Sequence, residues 1–505
     1  MLRRSLIACL LSATLPAIAA PASDPARSAA LSDVLFVDAI TWGVNGSTMT
    51  AFQSMGREKW LQSQLHPRST ILPGAVQKQL DAMPVTQRSV LDLSMDFDTQ
   101  ARANGQITDP DQKEAARKVV QNAMNEILRQ ATAASILRSL YSPDQLQERM
   151  TWFWFNHFNV HPSKANNRLL IWDYETKTIR AHALGRFRDL LGATLRHPAM
   201  LRYLDNAENY VGHINENYAR EIMELHTMGV GSGYTQKDVE ELARILTGVG
   251  VDIRRDIPDV KPEQRALILR DGVFTFNPRR HDFGDKIFLG QLIRGSGFSE
   301  VEQALDILCK QPATAQRLAR QIATYFVADD PPRALVDRLA QRFLQTDGEI
   351  ANVLDTLFHS LEFNASLGTR FKDPVRFIYS AVRLAYDAKV IVNVAPVQSW
   401  LNRLAEGLFN HQTPDGFSML SSAWNGSGQM VARFEIARQI GSGPAGLFKE
   451  GPNAVEQPGF PQLQNALYFS TLQQVLSGQT RESLDKAVSQ QDWNTLFLSS
   501  PEFMQ

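Results

Sequence analysis

The densest run of chemically capable side chains is Asn215-Glu216-Asn217-Tyr218-Ala219-Arg220-Glu221-Ile222-Met223-Glu224-Leu225-His226. On a helix, Asn217, Glu221 and Glu224 share one face, and Tyr218, Ile222 and Leu225 form an apolar stripe. Two carboxyl groups one turn apart serve two chemistries. They ligate a metal ion, or one stays protonated beside an ionised neighbour and the pair does acid/base work. The same spacing also describes an ordinary solvated Glu pair. A second cluster is Trp152-Phe153-Trp154-Phe155-Asn156-His157-Phe158-Asn159-Val160-His161. Its aromatic density describes a buried helix end. His157 and His161 are four apart, the spacing of two metal-ligating imidazoles, but Pro162 disfavours helix at His161. The third is Arg279-Arg280-His281-Asp282-Phe283-Gly284-Asp285-Lys286, where His281 beside Asp282 is either an acid/base or ligand group, or a turn closed by the Asp282 side chain.

These residues must be positioned by helices. Arg57 to Leu65 has helical apolar spacing and stops at His66-Pro67. Asp109-Pro110 opens a run of good helix formers to Tyr141. Ser142-Pro143-Asp144 restarts the pattern, which runs to about Phe158, and Trp172 to Leu191 and Asn215 to His226 follow. Thr235 caps a helix through Leu246, with Asp238 at the third helical position. Residues 251–298 differ, being rich in Asp, Arg, Pro and Gly. There Val273–Phe276 and Lys286–Leu289 are predicted to pair as a small hairpin. The helical pattern then resumes to the C-terminus, broken by two long loops, Asn410 to Gly428 and Gly441 to Pro461, of a length often tied to function. The predicted class is mainly α, a large multi-helix protein with a small β-hairpin insertion near 270–290. The expected organisation is a leader over 1–20, a helical region over 21–250 holding the polar motifs, the 251–298 insertion and a helical region over 299–505.

Composition narrows the setting. Lys+Arg is 52 and Asp+Glu 53, so no net field attracts nucleic acid or an anionic membrane. Arg3-Arg4, the apolar run Leu6 to Ile18 and the small residues around Ala19 and Ala20 describe a signal peptide. Its apolar run is short for a membrane span, and no later stretch is longer. Cleavage removes Cys9 and leaves Cys309 alone, with no intrachain disulfide. A mature protein without a transmembrane segment, periplasmic or secreted, is expected. There is no H-E-x-x-H, G-x-S-x-G or phosphate-binding loop. Gly441-Ser442-Gly443-Pro444-Ala445-Gly446 matches a dinucleotide fingerprint in spelling only, because it follows a helical segment.

Taken together, Phe155-Asn156-His157-Phe158, the run Arg180 to Leu191, Pro198 to Asn206, Asn215 to Glu221, Glu224-Leu225-His226-Thr227, Gly233-Tyr234-Thr235, Leu246-Thr247-Gly248 and His281-Asp282 resemble the bacterial DUF1800 proteins, a group with no assigned function. Many relatives carry an aromatic after the Leu-Thr-Gly step; Val249 stands here, a departure expected to alter a pocket wall. The resemblance implies a helical exported protein. It also looks like a group often encoded beside sulfatase-like exported proteins, which implies an envelope or extracellular polysaccharide setting and a sulfatase-like partner. The family's signature falls on Asn156, His157, Asn217, Arg220, Glu221, Glu224, His226, His281 and Asp282, a set richer in ionisable groups than a core requires.

The expected function is a hydrolase acting on a glycan or envelope polymer. Glu221, Glu224, His281 and Asp282 are the catalytic candidates, and Trp152, Trp154, Asn156, Asn217 and Arg220 the substrate-binding ones. A metal-dependent enzyme is the first alternative. It uses His157 and His226 with Glu donors, a set suited to zinc, iron or manganese. The second is a helical binding or assembly protein of the envelope, in which the polar clusters form a buried network.

Overall fold

A computed structural model describes residues 25–68, 71–253, 258–451, 454–456 and 459–505. The expected leader lies outside the described residues. The long helix Pro110–Tyr141 starts where the sequence places it. Asp109 accepts from the Gln112 amide as N-cap, and Pro110 occupies the first turn, where its missing N–H costs nothing. Its C-terminal half is buried between two hydrophobic cores. One core gathers most of the buried side chains between Val34 and Phe363 together with Phe409, and the other gathers residues from Val375 to Met504 together with Trp42, Val76, Leu80, Ala134, Ile136, Leu137, Leu140 and Trp152. The helix Gln145–His157 also contributes to both, with Trp152 in the second core and Phe153, Trp154 and Phe155 in the first.

The protein is mainly α-helical, with two small antiparallel sheets. The central strand β3 (Phe274–Phe276) pairs with β1 (Val249–Val251) and β2 (Leu269–Asp271); β4 (Lys286–Phe288) pairs with β5 (Gln291–Ile293). The predicted partners 273–276 and 286–289 therefore do not pair with each other. Gly290, at φ +76°, turns β4 onto β5, and buried Phe274 and Phe276 find their register against Val251 and Val249. Local turn chemistry won over the longer connection.

Two other expectations are refined by helix type. The predicted helix from Trp172 to Leu191 is Ile171–Asp173, a π-helical segment Tyr174–Arg180 and, after a turn, Phe187–Arg196. The predicted helix from Asn215 to His226 is α-helical over Asn217–Glu221 and π-helical over Ile222–His226. The π turn lengthens the repeat, so the buried stripe runs Tyr218, Ile222, Met223 and His226, and Leu225 is only partly buried. Such single π turns cluster at functional sites. By contrast, the capping box is as the sequence specifies: Thr235 accepts from the Asp238 amide, and Asp238 returns the bond to the Thr235 amide. Among the described residues, no helix is long and apolar enough to cross a membrane.

Candidate functional site

The end of the aromatic helix anchors a strap of chain, residues 411–417. Its polar residues reach outward while its aromatics sink into the cores. Asn156 Oδ1 accepts from the Phe417 amide at 2.6 Å, and Asn156 Nδ2 donates to the Phe417 carbonyl at 2.9 Å. Asn159 Nδ2 donates to the carbonyls of His411 and Thr413 at 3.0 and 2.7 Å, and the Tyr203 hydroxyl donates to the Gln412 carbonyl at 2.7 Å. Gly416 makes the approach possible. Its φ is +73°, and a Cβ there would lie 2.1 Å from the Asn156 carbonyl oxygen.

The strap carries an acid onto the surface. Thr413 Oγ1 donates to Asp415 Oδ1 at 2.5 Å, and His411 Nε2 lies 3.2 Å from the same oxygen and 3.0 Å from Thr413 Oγ1. Burial raises the Asp415 pKa, but the bonds from Thr413 and His411 outweigh it, and the carboxyl titrates below its ordinary value. Glu221, the last residue before the π turn, behaves in the opposite way. It is half-buried, and its pKa is raised first by burial, then by Glu224, against Arg220, with a further contribution from Asp415. Tyr203 lies within reach of both acids: burial, then Asp415 and Glu221, push its hydroxyl up to about 12. Glu221, Asp415 and Tyr203 thus form one electrostatic neighbourhood. Two carboxyl groups driven in opposite directions are the arrangement that separates a proton donor from a proton acceptor.

The other candidates fall in several places. Glu224 lies 3.5 Å from Arg220, which also binds Glu216 and Gln236 at 2.9 Å each. Asn217 spends its Nδ2 on the Leu204 carbonyl at 3.2 Å, helping to fix the turn before Glu221. Trp154 is fully buried, with its indole N–H on the Ala183 carbonyl, so it has no face for a sugar. Trp152 is 8% exposed and stacks on Phe417 of the strap.

His157 and His226 meet in the first core, their ring centroids 5.9 Å apart. His157 Nε2 bonds the His226 carbonyl at 3.1 Å, whereas neither ring nitrogen of His226 has a partner. Burial, then the neighbouring Arg317, hold His157 down to about 3, and His226 is lowered as well. His281 and Asp282 belong to a different network. His281 Nε2 bonds Glu300 at 2.9 Å, Lys286 binds the other oxygen of Glu300, and Asp282 pairs with Arg244 at 2.8 Å. None of their hydrogen bonds or ion pairs among the described residues reaches Glu221 or Glu224. Three surface side chains, Glu58, Asp355 and His359, have ligating atoms within 4.8 Å of one another, with Glu58 and His359 already bonded at 3.0 Å.

Sequence reasoning marked the loop after Asn410 by its length but did not select His411, Thr413 or Asp415. The available signal was the His-x-Thr-x-Asp-Gly spelling, which places alternate polar side chains on one side of a tight turn. Beside the strap, His161 is coupled to Asn410 and His411. It borders an open cleft of about 560 Å³, whose walls include Asn125, Arg129, Gln398, Asn402 and Asn410.

Comparison with curated proteins and with solved structures finds no match. A family model described as "Protein of unknown function (DUF1800)" matches residues 35–505, nearly the whole described chain and every residue of this site. The chain therefore belongs to the DUF1800 family.

Proposed function

We propose that the protein is an exported hydrolase of a glycan or another envelope polymer, in which Glu221 is the general acid and Asp415 the base or nucleophile. What supports this reading is that burial and Glu224 raise the Glu221 pKa, with a further contribution from Asp415, while the bonds from Thr413 and His411 lower that of Asp415. Glu221, its acidity weakened by burial and by Glu224, gives a proton to the leaving oxygen. Asp415, 63% exposed at its side chain, stays ionised to activate water or attack the substrate. His411 and Thr413 orient Asp415, and Arg220 holds Glu224 as the fixed charge that helps raise the Glu221 pKa. Of the two glutamates that sequence spacing pairs, Glu221 keeps the acid role, and the second carboxyl comes from the strap.

The polymer class is supported by the adjoining cleft. Its amide side chains and Arg129 suit hydroxyl groups, and Asn410 joins it to the strap. Export is supported by the leader-like first twenty residues. A metal at His157 and His226 is less favoured, because Arg317 places a positive charge beside both imidazoles.

The test is reducing-end release from a panel of envelope and extracellular polysaccharides. Glu221→Gln and Asp415→Asn should each abolish turnover while the melting temperature holds. Turnover retained by folded Glu221→Gln protein would overturn the assignment. Tight binding of a polymer without cleavage would favour a binding protein.

A further inference from the structure

Beyond Phe417 in sequence, Ser418, Met419 and Ser421 of the same loop wall a second pocket, whose interior gives about 20 Å³ of room for water. Three guanidinium groups line it: Arg149, Arg370 and Arg376. Arg149 is 1% exposed and Arg376 5%. Arg149 uses Nη1 on the carbonyls of Ala39 and Thr41, and Arg376 uses Nη2 on Asp38 at 2.9 Å. Arg376 leaves a buried Nε–H with no acceptor, and Arg149 has a buried Nε–H beside the hydroxyl of Tyr325, which lines the same pocket. An N–H has no lone pair, so these donors can be satisfied only by an acceptor.

The surrounding charge has the same sense. Arg149, Arg370, Lys372, Arg376 and Arg433 gather here, against the carboxylates Asp38, Asp329 and Asp373. The fourth carboxyl, Glu406, is driven strongly upward by burial and then by Asp373. Lys372 is pulled down to about 8, chiefly by burial and in part by Arg376 and Arg149, despite its partner Asp38. Arg433 also leaves two buried N–H groups without partners.

We propose that this pocket is an oxyanion site, taking a carboxylate, sulfate or phosphate group on the Nε–H donors of Arg149 and Arg376 and the Tyr325 hydroxyl, with Arg370 at the side formed by the loop. Arg370 is tied there to Asp329, the Met419 carbonyl and Ser421 Oγ. Arginine forks and buried donors are the usual means of holding such groups. The loop that walls the pocket also carries Asp415. An acidic substituent held here would therefore anchor a polymer against the loop that carries that carboxylate. The pocket stands without the hydrolase reading; the anion's being part of the polymer rests on it.

The experiment is calorimetric titration of the full chain with sulfate, phosphate and acetate at constant ionic strength set by chloride. Saturable one-to-one binding of at least one is expected, weakened about tenfold or more by Arg370→Gln and unchanged in Glu221→Gln. In the unsubstituted protein, the Nε–H resonances of two arginines should move with the same saturation, a readout that does not depend on any variant folding. No saturable binding of any of the three, or binding that leaves the arginine resonances unmoved, overturns the site. Competition between the inorganic ion and an acidic oligosaccharide identifies a polymer substituent, and binding of the inorganic ion alone identifies a free anion. Both keep the site. Activity retained by Glu221→Gln with binding intact would remove the hydrolase reading alone.

Discussion

Replacing Gly416 by Ala tests how the strap is held. The glycine sits at φ +73°, where an L side chain costs about 1–2 kcal/mol. The new Cβ would stand 2.1 Å from the Asn156 carbonyl oxygen, far inside contact distance, so the strap must move outward. That movement stretches the paired bonds between Asn156 and Phe417, now 2.6 and 2.9 Å. Each is worth about 0.5–1.5 kcal/mol net. Strain and lost bonds together come to roughly 2–5 kcal/mol. Urea unfolding followed by tryptophan fluorescence measures the global loss, and hydrogen exchange at the Phe417 amide measures the local one. The exchange should accelerate, because that amide loses its Asn156 partner. A loss under about 1 kcal/mol with unchanged Phe417 exchange would refute the pinning argument.

Other outcomes follow from buried charges. Burial pushes Glu175 up to about 7 against Arg138 and its Ser135 bond, so the fold holds a proton that the unfolded chain releases near 4.5. Stability should fall by at most about 3 kcal/mol as pH rises from about 4.5 through about 7, and Glu175→Gln should flatten that part of a melting-temperature profile. His157 works in the opposite sense. Its folded pKa is about 3, so as pH drops below about 6.5 the unfolded chain takes up a proton that the fold refuses. Acid destabilisation between those values should be reduced in His157→Gln, read by the same profile. Glu300→Gln leaves Lys286 buried beside a neutral amide and should cost roughly 3–5 kcal/mol in denaturant unfolding.

Much of the helical frame was legible because its signals are local. Asp109-Pro110 and Thr235 with Asp238 announce helix starts through chemistry within four residues, and both operate in the structure. What escaped depends on contacts across the chain or on departures from a standard repeat. The 273–276 and 286–289 strands were joined to each other because both are short apolar runs, whereas the Gly290 turn and the Val249–Val251 segment supply closer partners. The π turn after Glu221 is invisible to a 3.6-residue pattern, so Leu225 was given the core position that His226 takes. Glu221 itself was visible as part of a Glu pair. Asp415 was not, since its relation to Glu221 depends on Asn156, Asn159 and Tyr203 holding a segment about 200 residues away in sequence. No local pattern records that juxtaposition.

Burial, then Glu224 and in smaller part Asp415, raise the Glu221 pKa against Arg220, and the proposed acid role depends on that shift. Carboxyl ¹³C titration of the Glu-labelled protein, with Glu221 assigned by its absence in Glu221→Gln, tests this without a substrate. The account predicts that Glu221 titrates above the ordinary 4.5 and moves downward in Asp415→Asn. Titration of Glu221 at or below the ordinary value, or no response to Asp415→Asn, would contradict it.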